Sequence, residues 1–454
     1  MSTETAEKTV EKTTETANVE NEANSINDRS ICGTALTIDD VVEQLAKHFG
    51  VSAPELSDWS AEEIGAGKGF LSVLARIQLT WKLDDNYKGP KLPRSIISKV
   101  PTLNKVHMLT ANNPEMEKMG ALIKKQIHKI HNCEVSAYEA LLAAGDRCPT
   151  RIATIYGTKR LTDETSIETN EKAFLIMEDL SDTAGLVEFM KMQQLNRSQT
   201  QDLVEALASV HAWSLVGDTS QMEMVDMNEL FGQMTNDMHV QQQEFERCLR
   251  EEADWIEIFG ENALANAKRL VMAPELLRRS FDINRACGVP DVVCHGDVHT
   301  NNMLFKKDEH GRPTGHLLAL IDWQLVSLGN PMMDIARALS ICTDRSNRTD
   351  EIRNEMLDAY YAKFRNVFER SKRTAADAEK KMPFTREQLG DAFWQTFVLI
   401  QRWWTPMMPG FYKSLKSGAI PGVDPDVHGK KLVEETKFMF DEALDKMQHV
   451  KLNV

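Results

Sequence analysis

The chain has 454 residues, which is enough for one large domain or for two packed lobes. Asp and Glu total 68 against 53 for Lys and Arg, and the resulting net charge of −15 disfavours a nucleic-acid partner, which requires a basic surface. The seven cysteines are scattered and none are spaced as CxxC, so the sequence predicts neither a disulfide framework nor a cysteine-based zinc site.

Residues 1–30 are rich in Thr, Glu, Asn and Lys and contain no aromatic residue, a composition typical of a disordered tail. They show no leader pattern, and no apolar run in the chain approaches the roughly 20 residues that a membrane span needs. We therefore expect a cytoplasmic protein that makes no membrane contact, with its folded part beginning near Ile31.

The sequence pattern of residues 31–180 predicts mainly strands. Thr37, followed by acidic residues, indicates the N-cap of a first short helix. Four runs rich in β-branched and aromatic residues, separated by turn residues, predict strands at Phe70–Leu83, Ser95–Val100, Ile152–Arg160 and Ala173–Glu178. One helix, at about 114–144, interrupts these strands.

From Ser181 onward the pattern becomes helical. Strand signals return at Asn302–Phe305 and His316–Trp323, joined by the turn-rich segment Asp308–Gly315, and helices then run to the end. The sequence therefore predicts an α+β protein in which a small sheet lobe, 31–180, precedes a large helical lobe, 181–454, that holds a short hairpin.

Three oxygen-bearing side chains lie on or beside this hairpin. Asp297 is followed five residues later by Asn302, and Asp322 comes directly after the second strand. Phosphoryl transfer needs a carboxylate to receive the proton of the acceptor hydroxyl, together with oxygen ligands for Mg²⁺. Asp297 suits the first role, and Asn302 with Asp322 suits the second, so this segment predicts a metal-nucleotide site.

His295 and His299 offer a competing interpretation. The spacing His-x-x-x-His on a helix can bind zinc. Gly296 and the Asn-rich turn that follows favour a loop over a helix, and they disfavour zinc.

A second constellation begins with the glycines Gly65, Gly67 and Gly69, which let backbone N–H groups approach phosphates. A glycine run before a strand is more often an ordinary turn, so the run alone is weak. Lys99, at the end of an apolar strand, and Glu134, in an apolar helix, could form an ion pair that aims the lysine at phosphates. Taken singly, each is by default an ordinary surface charge.

The run from Phe174 to Leu180 is an apolar strand that ends in Glu178 and Asp179, at the change from sheet to helix composition. It indicates a hinge between lobes, whose backbone groups can hydrogen-bond adenine. A plain buried strand is the alternative that side chains alone leave open.

In their order and detail these motifs resemble the CHK-kinase-like family, which includes the ecdysteroid kinase-like enzymes of invertebrates and is related to choline kinases and aminoglycoside phosphotransferases. The likeness covers roughly 35–445. Its most specific parts are His295–Leu304, Ile321–Gln324, Gly329–Asp334, Glu178–Leu180 and Leu207–Ala212. The resemblance implies a protein-kinase-like two-lobed fold, with a small antiparallel β-sheet in the N-lobe and a mainly helical C-lobe.

The resemblance also implies roles. Asp297 would be the catalytic base, His295 would orient the catalytic loop, and Asp334 would brace that loop through backbone N–H groups. Mg²⁺ would bind to Asn302 and Asp322. The nucleotide ATP would be held by the remaining candidate residues, namely Gly65, Gly67, Gly69, Lys99, Glu134, Glu178 and Leu180.

The acceptor is predicted to be a small-molecule alcohol. Asp334 follows Asp322 by only 12 positions and no Ala-Pro-Glu motif follows, whereas a protein kinase needs a longer segment there to hold a peptide. The 118 positions between Asp179 and Asp297 supply material for pocket walls. The alternatives are a non-catalytic ligand-binding protein of the kinase fold and a protein kinase.

Overall fold

The computed structural model of the protein describes residues 29–64, 71–83, 86–103, 114–163, 165–169, 171–227, 229, 235–276, 288–372 and 379–450. They group into two compact units. The smaller unit comprises the described residues within Met1–Ala111 and Ile155–Asp179, and the larger unit comprises those within Asn112–Thr154 and Leu180–Val454. The chain passes from the smaller to the larger unit between Asp179 and Leu180, the position at which the sequence predicts a hinge.

The smaller unit is built on one antiparallel sheet of five strands in the order β1-β2-β3-β5-β4. Its elements are α1 (Ile38–Phe49), β1 (Leu56–Glu63), β2 (Ser72–Trp81), β3 (Ser95–Pro101), β4 (Ile155–Lys159) and β5 (Phe174–Glu178). Strands β2 to β5 match the four predicted runs. Strand β1 is an edge strand with mostly exposed residues. It therefore lacks the apolar pattern from which a strand can be predicted.

Helix α1 closes one face of this sheet. Thr37 caps it as predicted, since its hydroxyl accepts a hydrogen bond from the backbone N–H of Asp40 while the Asp40 carboxylate accepts one from the N–H of Thr37. The apolar stripe at Ile38, Val41 and Leu45 is fully buried. It belongs to one core cluster with sheet residues such as Ile77, so the unit has a core of its own.

The larger unit is mainly helical. Its helices are α2 (Pro114–Ala143), α3 (Arg197–Ser214), α4 (Thr235–Glu251), α5 (Ala253–Phe259), α6 (Ala263–Leu270), α7 (Met332–Arg337), α8 (Asp350–Ser371), α9 (Arg386–Trp404), α10 (Met408–Lys416) and α11 (Pro425–Lys446). Helix α2 forms where the sequence predicts one, and it groups with this unit. The α+β class and the kinase-like arrangement of a small antiparallel sheet and a mainly helical part are confirmed.

Five short strands in the larger unit position the site. Strands β6 (Ala184–Gly185), β8 (Met303–Lys307) and β9 (Pro313–Leu320) form one antiparallel sheet. Strands β7 (Val292–Cys294) and β10 (Ser327–Gly329) form a second antiparallel pair. The predicted hairpin is thus β8–β9, whereas the three-residue strands β7 and β10 are too short to be read from sequence. Among the described helices, none is long and apolar enough to cross a membrane.

Candidate active site

Asp334, on helix α7, lies beside the loop that follows β7. Strand β7 pairs with β10, so the helix α7 that begins just after β10 is placed beside this loop. The Asp334 carboxylate is completely buried and accepts hydrogen bonds from the backbone N–H groups of His295, at 2.7 Å, and Gly296, at 3.0 Å. The structure therefore contains the brace through backbone N–H groups that the family resemblance implies for this residue.

A buried histidine on helix α3 completes this brace. The ring Nε2 of His211 lies 3.2 Å from Oδ2 of Asp334, and its Nδ1 lies 2.9 Å from the hydroxyl of Tyr360 on α8. Burial alone would raise the pKa of Asp334, but the interaction with His211 and the N–H of His295 hold that pKa below its usual value. Asp334 is therefore a buried carboxylate that stays ionised and joins three helices to one loop.

Gly296 occupies a position that an L-residue tolerates poorly. Its φ is +79°, and a Cβ at this residue would overlap the carbonyl oxygen of Leu325. The left-handed conformation costs a side chain about 1–2 kcal/mol, and the overlap adds to that cost. The glycine lets the loop turn tightly enough to offer both N–H groups to Asp334.

We expect Gly296→Ala to lower the free energy of unfolding by clearly more than the matched substitution Gly311→Ala. Gly311, in the β8–β9 turn, has φ of +76° but has no atom within 4 Å of an added Cβ. Both substitutions carry the conformational cost of about 1–2 kcal/mol, and only the first adds a backbone overlap. Urea unfolding of both variants measures the difference. Equal losses would show that the loop accommodates the methyl group.

His295 connects the loop to the end of β9. Its Nδ1 accepts a hydrogen bond from the backbone N–H of Asp297, at 3.3 Å, so its Nε2 carries the hydrogen and donates to the carbonyl oxygen of Ile321, at 3.0 Å. Burial lowers the pKa of His295, although the nearby carboxylates act in the opposite direction. A neutral imidazole in this tautomer fixes Asp297 relative to the residue that precedes Asp322.

Backbone pairing brings the predicted oxygen donors together. The amide Nδ2 of Asn302 donates to the carbonyl oxygen of Asp297, at 3.0 Å, and the backbone N–H of Ile321 donates to the carbonyl oxygen of Asn302, at 3.1 Å. Because the amide nitrogen of Asn302 is engaged, the atom that this side chain can offer a cation is its oxygen. Asp297, Asn302 and Asp322 are thus tied into one cluster by these bonds and by His295.

Asp297 lies between two basic side chains. Its Oδ1 accepts a hydrogen bond from Nη2 of Arg337, at 3.1 Å, and its Oδ2 lies 3.5 Å from Nε2 of His299. Arg337 also donates from Nη1 to the carbonyl oxygen of Gly296, at 2.7 Å. Burial would raise the pKa of Asp297, but the interactions with His299 and Arg337 outweigh it and hold the pKa well below its ordinary value.

Asp322 adopts a left-handed backbone conformation, with φ of 65° and ψ of 62°. Asp is among the few residues that tolerate this region, and such conformations concentrate at functional sites. The backbone N–H of Asp322 lies 3.3 Å from the hydroxyl oxygen of Tyr138 on α2. Burial, followed by the charges of Glu134 and Asp322, raises the pKa of Tyr138, so the phenol stays protonated beside the site.

The other predicted nucleotide-binding residues are distributed over both units. Lys99 is half-buried on β3, opposite Leu175 of β5, and Glu134 is buried on α2 in the larger unit. Glu178 ends β5 in the smaller unit, and Leu180 begins the second segment of the larger one. The ion pair between Lys99 and Glu134 stays a prediction. The glycines Gly65, Gly67 and Gly69 lie outside the described residues.

Three contributors to the site were missed by sequence reasoning: Arg337, Tyr138 and, as a partner of Asp334, His211. Arg337 follows Asp334 by three positions on one helix, so a shared face was the available signal. His211 lies within a segment that carries the family resemblance, yet its contact with Asp334 is a long-range one. Tyr138 reaches Asp322 across 184 positions of sequence, and no local pattern encodes that.

Zinc ligation by His295 and His299 does not fit the observed geometry. Both ring nitrogens of His295 are engaged with backbone groups, and His299 lies against Asp297. Within the described part of the chain, one group could offer three ligand atoms within 4.8 Å of one another: His211, Cys294 and Asp334. Its carboxylate and imidazole already have the hydrogen-bond partners described above, so we interpret this group as part of the loop's support.

Residues 27–442 match the family DUF1679, described as "Uncharacterized oxidoreductase dhs-27". The Caenorhabditis elegans protein of that name is 24% identical over 234 residues, 49% of this chain and 26% of the relative. The "Uncharacterized kinase-like protein D1044.1" of the same organism is 27% identical over 267 residues, 55% of this chain and 62% of the relative. The chain thus matches about a quarter of the length of the first relative and about three fifths of the length of the second. The kinase-like resemblance predicted from the sequence is confirmed.

Among solved structures, the fold is similar to that of the Plasmodium vivax ethanolamine kinase. The two chains share 11% sequence identity, the alignment covers 97% of this chain and 99% of that one, and the TM-score is 0.38.

Proposed function

The protein belongs to the DUF1679 family, and we propose that it is an ATP- and magnesium-dependent phosphotransferase that acts on a hydroxyl group of a small molecule. One observation carries this proposal. Asp297, Asn302 and Asp322, the oxygen donors that phosphoryl transfer requires, are held in one cluster by His295 and by the pairing at the end of the β8–β9 hairpin. The kinase-like name of one relative agrees with it.

Asp297 would receive the proton of the acceptor hydroxyl. Its low pKa keeps it ionised at neutral pH, so it is available to accept that proton, although it is a weak base. Phosphoryl transfer tolerates a weak base because positioning and charge neutralisation supply most of the rate. Arg337 and the backbone N–H bond to His295 would hold the carboxylate in the position needed to orient the hydroxyl.

Asn302 and Asp322 fit Mg²⁺, which prefers carboxylate and amide oxygen ligands. Bound there, the ion would neutralise charge on the β- and γ-phosphates of ATP. Asp334, His211 and His295 would act by fixing the loop on which Asp297 lies. Lys99 with Glu134, the glycines Gly65, Gly67 and Gly69, and the hinge residues Glu178 and Leu180 are proposed to bind the nucleotide.

A small acceptor is favoured by what fills the segment between Asp322 and Asp334. A single 3₁₀ turn, Trp323–Leu325, is followed at once by β10, which pairs with β7, and then by α7. The 3₁₀ turn, the strand pairing with β7 and the start of α7 occupy most of this short segment. It therefore offers no length for the extended activation segment on which a protein kinase holds its peptide.

We also propose a cytoplasmic location. The six cysteines among the described residues, namely Cys32, Cys133, Cys148, Cys248, Cys294 and Cys342, are not in disulfide bonds. Reduced thiols are the rule in the cytosol and uncommon in secreted proteins.

We expect the purified protein to transfer label from γ-labelled ATP to a small molecule in a fractionated metabolite extract, and to lose this activity when EDTA removes Mg²⁺. Separation of products by size identifies the class of acceptor. Label found on polypeptides alone would instead indicate a protein kinase. Nucleotide binding is tested separately by thermal unfolding. Saturating Mg-ATP should raise the Tm of a protein that binds it. An unchanged Tm would contradict nucleotide binding.

A further inference from the structure

The C-terminal end of helix α9 holds a group of buried polar side chains that the proposed reaction does not use. Gln401, Arg402 and Thr405 are 0%, 2% and 1% exposed. Gln401 and Arg402 lie in the last turn of α9, and Thr405 begins the 3₁₀ turn that continues it. The three are called the α9 polar cluster below.

The helical backbone places these three side chains around one turn. The backbone N–H of Thr405 donates to the carbonyl oxygen of Gln401, so the helical path continues through Thr405. Residues three or four positions apart are neighbours on a helix surface. Thr405 is therefore adjacent to both Arg402, three positions earlier, and Gln401, four positions earlier.

Most of the polar atoms in this cluster have no hydrogen-bond partner. Nε and Nη1 of Arg402, both amide atoms of Gln401 and the hydroxyl oxygen of Thr405 are buried and unpaired. Such groups are rare in folded proteins, because each loses its hydrogen bonds to water without a replacement. Five unpaired atoms within five residues indicate a place where a polar group from outside the chain belongs.

Arg402 differs from two other buried arginines, Arg348, which precedes α8, and Arg353, which lies on α8. Arg348 pairs with Glu435, and Arg353 pairs with Asp350 and Glu442. Although the chain has 68 acidic residues, no carboxylate among the described residues makes an ion pair with Arg402. Its guanidinium lies over the ring of Trp403, whose centroid is 5.4 Å from Cζ. Burial lowers the pKa of Arg402 to about 10, and no acidic neighbour acts against this shift.

We propose that the α9 polar cluster binds an oxyanion group of a small molecule, a carboxylate or a sulfate-like group. The guanidinium supplies a positive charge and planar N–H donors that match such oxygens. The amide N–H of Gln401 and the hydroxyl of Thr405 add donors beside it. A charged group bound here both accepts hydrogen bonds from Arg402 and balances its positive charge, whereas an uncharged carbonyl would only accept hydrogen bonds.

The cluster belongs to the same unit as Asp297. Thr396 on α9 accepts a hydrogen bond from Nδ2 of Asn330, which precedes α7. Arg402 follows Thr396 by six positions, roughly 9 Å along a helix axis. The inference does not depend on kinase activity, because the unpaired atoms alone carry it.

The first measurement is the Tm of the ligand-free protein and of two matched variants, Arg402→Met and Arg348→Met. Methionine keeps most of the length of arginine without its charge. Removing an uncompensated buried charge relieves its desolvation, whereas removing Arg348 leaves the Glu435 carboxylate unpaired. We therefore expect Arg348→Met to lower Tm by several degrees and Arg402→Met to leave it unchanged or raise it.

The second measurement decides the proposal. Wild type, Arg402→Met and Arg402→Lys are titrated with sodium sulfate and, separately, sodium acetate, at ionic strength held constant with chloride. We expect a saturable rise in wild-type Tm of about 2 °C or more with at least one anion. It should vanish in Arg402→Met and require about tenfold more anion in Arg402→Lys, which keeps the charge but loses the planar donors. Whether acetate or sulfate raises Tm shows whether the site prefers a planar carboxylate or a tetrahedral group.

Two results would overturn the proposal. The first is no saturable shift of wild-type Tm with either anion. The second is the same shift in wild type and Arg402→Met, which would place the bound anion elsewhere. Should Arg402→Met not fold, Arg402→Lys decides, since an unchanged midpoint in that variant contradicts recognition by the guanidinium.

Discussion

The substitution Asp297→Asn is expected to lower the rate of phosphoryl transfer by about 10²–10⁴-fold, because the amide cannot accept the proton of the acceptor hydroxyl. The same change should lower the free energy of unfolding at neutral pH by about 1 kcal/mol. The Asp297 and Arg337 side chains are 17% and 20% exposed, so water screens their ion pair in part. Arg337 also keeps its bond to the carbonyl oxygen of Gly296.

The pH dependence of stability gives a second, independent expectation for this variant. Folding lowers the pKa of Asp297, so its carboxylate stabilises the folded state fully above the unfolded pKa of about 4. This contribution is lost as the pH falls through the folded pKa. The variant lacks it at every pH. Urea unfolding from pH 7 down to pH 3 should therefore show a difference in unfolding free energy between wild type and Asp297→Asn that is constant above about pH 5 and begins to shrink below about pH 4.

Asp308→Asn is the matched control for Asp297→Asn. Asp308 lies in the turn of the same hairpin, and Arg312 and nearby backbone N–H groups lower its pKa. It lies in the turn that joins β8 and β9, away from the end of the hairpin where Ile321 bonds Asn302. Full activity in Asp308→Asn together with loss in Asp297→Asn supports the role of Asp297. Comparable activity in wild type and Asp297→Asn would contradict that role.

Much of the candidate site could be predicted because its donors are close in sequence. Asp297, Asn302 and Asp322 flank one hairpin, and two short apolar runs joined by a turn-rich segment show where that hairpin lies. Their residue types then indicate the chemistry. The α+β class was also predictable, since strands β2 to β5 are apolar runs bounded by turn residues.

The support of the site could not be predicted in the same way. Arg337 reaches Asp297 only because the pairing of β7 with β10 places α7 beside the loop. Each of those strands has three residues, too few for a period to be recognised. The pairs His211 with Asp334 and Tyr138 with Asp322 join residues more than 100 positions apart. Such contacts follow from tertiary packing, which a local pattern does not encode.

The substitution Asp334→Asn is expected to lower the free energy of unfolding by about 3 kcal/mol or more. Asp334 is completely buried, and its two oxygens together accept from the N–H groups of His295 and Gly296 and from His211. Asparagine has the same shape but has one accepting oxygen, and its NH₂ group would face a donor. A buried N–H group would then lack a partner.

Tyr360→Phe provides a graded control at the outer end of the same chain of hydrogen bonds. Among the described residues, its hydroxyl hydrogen-bonds Nδ1 of His211, so its removal should lower the free energy of unfolding by about 1–2 kcal/mol. The bonds from Asp334 to the loop would stay. Thermal and urea unfolding of both variants measure which substitution lowers the free energy of unfolding more. A larger loss of this free energy for Tyr360→Phe than for Asp334→Asn would contradict the central position of Asp334.

Activity measured on the folded fraction of Asp334→Asn distinguishes a supporting residue from one that takes part in the chemistry. The loop carries Asp297, and a displacement of about 1 Å at a reacting group can lower a rate about 100-fold. Asp334→Asn should therefore lower activity and stability together, whereas Asp297→Asn should lower activity with a much smaller loss of stability. Because His295 N–H and Gly296 N–H both bond the Asp334 carboxylate, a stable and fully active Asp334→Asn would mean that the loop holds its shape without this brace.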